Sequence, residues 1–577
     1  MIIREDIGLW VVLALAAGLK AVILALDVVP FNADEAVVAL MARHILVGGE
    51  RPVFFYGQAY LGSLDAWLIA GAFLIFGETV TAIRIVQSAL YLGTIATTYL
   101  LGLKIFGSRW IAGVAALLLA IPTVTLTLYT TATLGGYGEM LLIGNVLLLW
   151  ALRLRGAHTQ VRAHPWVRAH TLVRPYEWLL FGTLAGFGFW AFGFLGVYIL
   201  PICMTLLWPK LNREDAGELV RTDAKFLLVF LRDLRAFAVN YFLAFVGFAL
   251  GSSPWWFATL FGATTLTELG GSAIAGASTG GLLVEAFKHA FYFVVLGLPV
   301  IIGVRSSWAV RWLALPLFPL ALVLFMGAVG RAAGLSLAGL RAGWRRTSWL
   351  GNPTGAELGR ALLLGVCATL IVAFIVTPFG ADPSGRYFLP LATPLALFTA
   401  DLLHRVRREY PRLAMTLLAG LLAFNAWGHV EAASAFPPGF TTQFDPVAQV
   451  DQRNLPKVIE FLMAHGERRC YSNYWATFPI AFLSRERIVC AARLPYHLDF
   501  RYTSRDDRYP PYTRAVADAD RVAYVTTKHP PLDDAIRAGL NRLGVGYAEH
   551  TIGDFHIFYQ LSRRVTPDEL SIYSEAP

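Results

Sequence analysis

Charge is the scarcest ingredient of this 577-residue chain: Asp, Glu, Lys and Arg make up 15% of it, where a soluble protein carries about a quarter. That deficit excludes a wholly water-soluble protein, which must coat its surface with charge. Cysteine is nearly absent, with four residues. Two of them, Cys203 and Cys367, stand in apolar runs as packing residues. There is no zinc-spaced Cys/His set, no Gly-rich phosphate loop, no nucleophile elbow and no ATPase motif. Work driven by nucleotide hydrolysis within this chain is thereby excluded.

What is abundant is apolar: 56% of residues, with a mean hydropathy of +0.56. The apolar residues gather in long runs: Ile7–Val29, Ala82–Leu103, Ile111–Leu128, Leu134–Leu152, Trp178–Trp208, Phe237–Ala249, Phe291–Gly303, Trp312–Val329, Ala361–Val376, Tyr387–Leu403 and Leu413–Trp427. About 20 apolar residues cross the hydrocarbon, so the runs predict an α-helical polytopic membrane protein of roughly 11 to 13 spans. The first run is too long for a signal peptide, and no small-residue cleavage site follows it.

The net charge of +9 would suit nucleic acid, but its placement points to topology. Arg153, Arg155, Arg162, Arg168 and Arg174 fall in one inter-span loop. Arg331, Arg341, Arg345, Arg346 and Arg360 fall in another, and Arg405, Arg407, Arg408 and Arg412 in a third. Basic loops stay on the cytoplasmic side. From the N-terminus, residues 30–83 then form an outer loop carrying interfacial helices, and Tyr129–Glu139 is outside as well. From the other end, Thr377–Arg386 and the tail are outside. Between Trp178 and Arg331 the count fails to close by one crossing, and Gly188–Gly193 is a plausible break.

Residues 1–430 are thus read as the membrane part, 431–446 as a linker and 447–577 as an extracytoplasmic α/β domain. Helical periods at Leu455–Ala464, Trp475–Leu483 and Leu532–Leu543 alternate with strand-like Arg469–Ser472, Ile488–Ala491, Val522–Thr527 and Gly553–Leu561. Cys470 and Cys490 lie in two of these strands. In an oxidising compartment they can pair; otherwise they are buried free thiols.

Candidate chemistry gathers at the outer ends of the spans. Asp34-Glu35 stands where the first span exits, and two adjacent carboxylates there can deprotonate a hydroxyl or hold a divalent cation. The same Asn32-Ala-Asp-Glu35 reads equally as a capping box for a helix over Ala36–Leu46. Thr133-Leu-Gly-Gly-Tyr137-Gly-Glu139 offers a third acid in a glycine-rich turn. Pro383-Ser-Gly-Arg386-Tyr387-Phe-Leu-Pro390 places an arginine beside a tyrosine, suited to clamping a phosphate or to anchoring at the interface. Lys20, inside the first span, can hold a lipid-linked anion or serve a structural pairing. Gln58 and Asp65 are polar groups on an otherwise apolar stretch of the outer loop.

Phe-Asn-Ala-Asp34-Glu35-Ala followed by Tyr56-Gly-Gln58-Ala-Tyr60-Leu-Gly-Ser-Leu-Asp65-Ala resembles the GT-C glycosyltransferases. The nearest groups are the protein mannosyltransferases and the aminoarabinose lipid A transferases. The segment Gly-Arg386-Tyr387-Phe-Leu-Pro-Leu is also similar to theirs, whereas the Lys-Pro-Pro stretch of many lipid A transferases is missing, with Ala59-Tyr60-Leu61 near its place. The resemblance covers roughly residues 1–430. It implies transfer of a sugar, with inversion, from a polyprenyl-phosphate donor to an acceptor hydroxyl on a lipid, glycan or protein. The reaction would take place at the outer face of the plasma membrane, with no nucleic acid as partner. By it Asp34 is the general base, Glu35 and Glu139 further acids of the site, Arg386, Tyr387 and Lys20 the donor phosphate contacts, and Tyr56, Gln58, Tyr60, Asp65 and Tyr137 the substrate lining. It implies no certain cofactor, and a divalent cation has no further motif to support it. A secondary transporter would show repeated halves with polar groups at mid-membrane; no such repeat is present. A non-catalytic envelope assembly protein is the third reading.

Overall fold

The computed structural model describes residues 6–160, 174–207, 224–262, 267–268, 281–345, 355–382, 384–435 and 439–573. Arg162, Arg168, Arg346, Pro383 and linker residues 436–438 lie outside the described residues. Among those described, seven helices are long and apolar enough to cross a membrane: Ile7–Ala25, Val80–Phe106, Tyr137–Arg155, Leu282–Ile301, Leu315–Ala338, Gly355–Val376 and Pro411–Ser434. The pair Ala238–Gly251 and Ser253–Leu260, bent by 61°, makes an eighth if taken as one span. The chain is a multi-pass membrane protein.

This is fewer than the roughly 11 to 13 spans that the apolar runs predict at about 20 residues each, because several runs are cut into pieces too short to cross alone. Ile111–Leu128 is divided at Pro122 into Arg109–Ala120 and Val124–Tyr129. Trp178–Trp208 is divided into Pro175–Ala191 and Gly196–Leu207, joined through an extended Phe192 and a 3₁₀ turn at Gly193–Leu195. Tyr387–Leu403 opens as a 3₁₀ turn, Arg386–Leu391, before the helix Ala392–Glu409. The missing crossing therefore falls in a region with two breaks, one at Phe192 beside the expected Gly188–Gly193 and one at Ser252.

Two Gly-x-x-x-Gly pairs bring Pro175–Ala191 against Ala224–Gly251. A Cβ on Gly182 or Gly186 would overlap the carbonyl oxygen of Ala244 or Phe248, and one on Gly247 or Gly251 that of Leu179 or Thr183. Backbones can approach this closely only where side chains are missing, the usual way helices associate in lipid.

The segment 30–83 holds two helices and a hairpin. The helix Ala33–Arg43 is apolar nearly all round, and every residue but Asp34 is buried, as expected of a helix without a solvent face. It lies between Leu64–Phe76 on the membrane side and Tyr474–Leu483 of the C-terminal domain. Leu64–Phe76 does leave Trp67, Leu68, Leu74, Ile75 and Phe76 exposed, as an interfacial helix should. Between these helices runs an antiparallel hairpin, β1 (Phe54–Phe55) and β2 (Gln58–Gly62), which the sequence reading did not anticipate. Leu61 of β2 bridges to Phe192 at the helix break.

The last membrane helix runs on to Ala435, inside the segment read as linker. The C-terminal domain holds a five-stranded sheet in the order β4-β3-β5-β7-β6, formed by β3 (Arg469–Ser472), β4 (Val489–Ala492), β5 (Ala523–Thr527), β6 (Ala548–Ile552) and β7 (Phe555–Tyr559). The first three strands named are parallel, and the β6–β7 hairpin adds antiparallel to β5. Helices Leu455–Ala464, Tyr474–Leu483 and Pro530–Arg542 fall where the periodicity places them. Strand β6 and the helix Pro510–Ala517 do not appear in that reading. Cys470 and Cys490 face one another across the β3–β4 register and form a disulfide.

Replacing Gly186 by valine forces the two helices apart, an overpacking cost of about 1–3 kcal/mol. Thermal melts in detergent should show a clearly lower midpoint for G186V. Gly18→Ala, where nothing lies within 4 Å of the new methyl, should melt like the unaltered protein.

Candidate active site

The sharpest local decision is made by the adjacent acids. Asn32 caps the helix Ala33–Arg43, its Oδ1 accepting from the Glu35 amide at 3.0 Å, while Glu35 Oε2 accepts from the Asn32 amide at 3.3 Å. The capping box therefore forms. Glu35, fully buried, also receives Arg84 Nη2 at 3.2 Å. Burial pushes its carboxyl up and Arg84 pulls it back. Neighbours on a helix point about 100° apart, so Asp34 turns the other way, into a cavity. There its Oδ1 accepts a hydrogen bond from the Tyr474 hydroxyl at 2.5 Å. Its place in the first helical turn suits a negative charge.

The cavity has a volume of about 580 Å³, within the range of small-molecule sites, about 300–1,000 Å³. It opens between one end of the helix bundle and the C-terminal domain. Asp34, Gln58, Tyr60, Tyr137, Arg386 and Tyr387 all line it, so the structure brings together six of the eleven residues singled out in the sequence. Arg386 starts its 3₁₀ turn after Gly385, whose φ of 82° and contact with Val300 leave no room for a side chain. The guanidinium pairs with Asp382 at 2.7 Å, lies 5.1 Å from the Tyr387 ring centre, and donates to the Tyr387 hydroxyl at 3.3 Å. Tyr60 feels both Arg386 and Arg508 as well as Asp34, and burial pushes its hydroxyl up, keeping it a donor.

The other five stand elsewhere. Glu35 is locked in its cap. Lys20 spends its ammonium on Thr127 O at 3.2 Å, Thr130 O at 2.8 Å and the hydroxyls of Thr130 and Thr131 at 2.8 and 2.6 Å. It is a structural tie between helices, and it does not reach the cavity. Glu139 is buried beside Asp65; Asp65 accepts from Gln87 Nε2 at 2.8 Å and from the Thr133 hydroxyl. Tyr56 belongs to the interdomain contact: its ring stacks on Tyr509 at 4.8 Å, and its hydroxyl donates to Glu50.

Sequence reading placed no site residue in the tail, yet the C-terminal domain supplies Tyr474, Trp475, Tyr496, Thr503, Arg505, Asp506 and Arg508 to the cavity wall. Arg508 Nη1 donates to Gly57 O at 3.2 Å, and its guanidinium lies 5.4 Å from the Tyr474 ring centre. With its amide oxygen turned toward Arg508, Gln58 accepts from both terminal nitrogens, at 3.0 and 3.1 Å. A signal was present: between β4 and β5 the chain makes a long connection with Arg, Asp and Tyr interleaved from Asp499 to Tyr512, and loops of that length are usually functional. Glu268, from the membrane part, also lines the site and accepts from the Ala59 amide at 2.8 Å. Among the described residues, no three His, Cys, Asp or Glu side chains gather as a metal site.

No protein-family model matches the chain, and no curated protein matches its sequence. Solved structures do match. ArnT from Cupriavidus metallidurans in the apo state aligns with a TM-score of 0.58 and 13% identity, over 98% of this chain and 99% of ArnT. ArnT bound to undecaprenyl phosphate gives 0.56 and 13%, over 99% and 100%. The apo oligosaccharyltransferase of Archaeoglobus fulgidus gives 0.50 and 13%, over 93% of this chain and 71% of its own. The fold is the GT-C fold that the sequence motifs resemble, and it extends over the C-terminal domain.

Asp506 provides a pH readout for the tail's part of the cavity wall. Burial pushes its carboxyl up to about 7, with Arg508 and His497 opposing. The protonated form is the one the fold favours, so its stabilising contribution is complete below the ordinary carboxylate range, near pH 4, and is lost as pH rises to about 7. Thermal or denaturant unfolding should therefore show stability falling by up to about 1.4 kcal/mol per pH unit across that window. Asp506→Asn should remove this component.

Proposed function

We propose that the chain is a glycosyltransferase that moves a sugar from a polyprenyl-phosphate carrier to an acceptor hydroxyl at the extracytoplasmic face, with Asp34 as general base. The observation that carries this reading is that Asp34 and Arg386, 352 positions apart in the sequence, line one cavity with an array of hydroxyl donors. The fold shared with a protein that binds undecaprenyl phosphate supports a lipid-phosphate donor.

Asp34 accepts the proton of the acceptor hydroxyl. The acceptor oxygen bonds to the anomeric carbon, and the bond from that carbon to the phosphate oxygen breaks with its electron pair going to the phosphate. One displacement inverts the anomeric centre. The departing phosphate needs donors and positive charge more than machinery, and the Arg386 guanidinium with the Tyr387 and Tyr60 hydroxyls supplies the donors. In this reading Glu35, held in its cap by Asn32 and Arg84, and Glu139, buried beside Asp65, stand behind the site and take no part in the step.

The orientation rests on charge and on the disulfide. Tyr137 lines the cavity, while Arg153 lies on the same helix about 24 Å further along its axis. Likewise Thr369–Thr377 approach the cavity at the end of a helix whose start carries Arg360, and Ala392–Glu409 runs from the Arg386 turn to Arg405, Arg407 and Arg408. Basic ends of three helices thus point away from the cavity, and basic ends belong to the cytoplasm. The Cys470–Cys490 disulfide suits an oxidising compartment for the tail.

Membranes containing the protein and a radiolabelled polyprenyl-phosphate sugar should transfer label to endogenous acceptor. Asp34→Asn should lower transfer by about 10²–10⁴-fold, the usual value of a general base, without loss of protein. Undiminished transfer in D34N would reject Asp34 as the base.

A further inference from the structure

We propose that Arg508, delivered by the C-terminal domain, is a catalytic cation that holds the phosphate of the lipid-linked donor and takes up the charge growing on it as the sugar departs. This rests on the transferase reading above and adds to it a residue from the tail domain.

Charge separates Arg386 from Arg508. Arg386 is the cation that the sequence singles out, but its guanidinium is already paired with Asp382 at 2.7 Å, so together they bring almost no net charge to the cavity. Arg508 has no such partner: no carboxylate oxygen lies within 4.0 Å of it among the described residues. Its contacts are neutral acceptors, Gly57 O at 3.2 Å and the Gln58 amide, and its Nε is buried without a hydrogen-bond partner. A guanidinium held this way, half-buried in the wall of a cavity and beside the Tyr474 ring, is a planar cation fixed in direction and without a direct ion-pair partner, Asp34 and Asp506 acting on it only from a distance. Gly57, at a φ of 70°, has no room for a side chain beneath the Arg508 side chain, so the β1–β2 turn is shaped to receive it.

The chemistry calls for such a group. A polyprenyl-phosphate sugar is a phosphodiester with one negative charge; when the anomeric C–O bond breaks, the electron pair leaves with the phosphate and a second charge develops. A cation held in a direct ion pair in the resting site gains little from that change, whereas one free of such a pair gains more in the transition state. Arg508 also lies opposite Asp34 across Tyr474, which touches both, so base and leaving-group cation are held in register by one tyrosine. Arg505, exposed at the rim of the same cavity, adds positive field along the approach.

The test uses the full-length protein in detergent or nanodiscs with undecaprenyl phosphate and, in parallel, undecaprenol as probes. Binding is measured directly, and transfer is measured separately. Wild-type protein should bind the phosphate more tightly than the alcohol. Arg508→Gln should weaken phosphate binding by at least about tenfold, leave alcohol binding unchanged and lower kcat further. Arg508→Lys, which keeps the charge without the fork, should fall between and serve as the folded control if R508Q melts early. D34N should lose transfer while binding undecaprenyl phosphate like wild type. Unchanged phosphate binding in both Arg508 variants overturns the proposal; if the acceptor KM rises instead, Arg508 belongs to the acceptor. Wild-type protein that fails to distinguish the phosphate from the alcohol overturns the donor assignment itself, a result separable from any effect of position 508.

Discussion

A buried ion pair decides where this site can be. Glu35 and Arg84, both removed from water, hold the first turn of the Ala33–Arg43 helix in one rotational setting, with the Asn32 cap adding two hydrogen bonds. Breaking such a pair by removing one partner typically costs about 3–5 kcal/mol, because the other charge is left stranded. That rigidity is transmitted to the neighbouring position, and Asp34 has one direction in which to point. At the other end of the helix, Arg43 pairs with Glu78 at 2.9 Å and donates to Phe482 O at 3.1 Å, tying membrane part and tail domain to the same element. The helix is therefore a wedge between two bodies, and the cavity is the space left on its N-terminal side.

The tail domain completes the site as well as covering it. Its aromatic residues Tyr474, Trp475 and Tyr496 face the membrane part, and its charged loop closes over β2. The contact between the two bodies is polar at its edge, with His44 Nε2 3.0 Å from Glu486 and the Tyr509 hydroxyl donating to Glu50 at 2.7 Å, and apolar within, where Phe31 packs on Phe482. Polar edge and apolar centre are the usual division of a lasting interface.

Much of this was legible in the sequence, for reasons that can be named. The capping pattern at Asn32–Glu35, the glycine before Arg386 and the period-2 and period-3.6 stretches of the tail each report local backbone needs, and the structure satisfies them at those positions. The adjacent acids were not separable, since only the tertiary partner Arg84 shows which one faces inward. Glu139 looked like a site acid because it closes a glycine-rich turn, but the turn delivers it to Asp65. Lys20 looked like an anion-binding charge in lipid, but the threonines at 127, 130 and 131 surround it. Hydropathy measures runs and is blind to the breaks at Pro122, Phe192 and Ser252, so the unbroken long helices among the described residues are fewer than the apolar runs. For Arg508 the long Arg-, Asp- and Tyr-rich connection is a signal of function, but nothing local marks that loop as one that folds back onto a hairpin 451 residues earlier.

The claim at the centre is that one cavity, opening away from the basic ends of the helices, holds an acid and its opposing cations around a single phosphosugar. An experimental structure of the full chain with undecaprenyl phosphate bound tests it most directly. Phosphate density between Arg386 and Arg508, on the side of the cavity reached by Asp34, is the expected result. Phosphate seated elsewhere on the bundle, with Asp34 facing a different space, would contradict it.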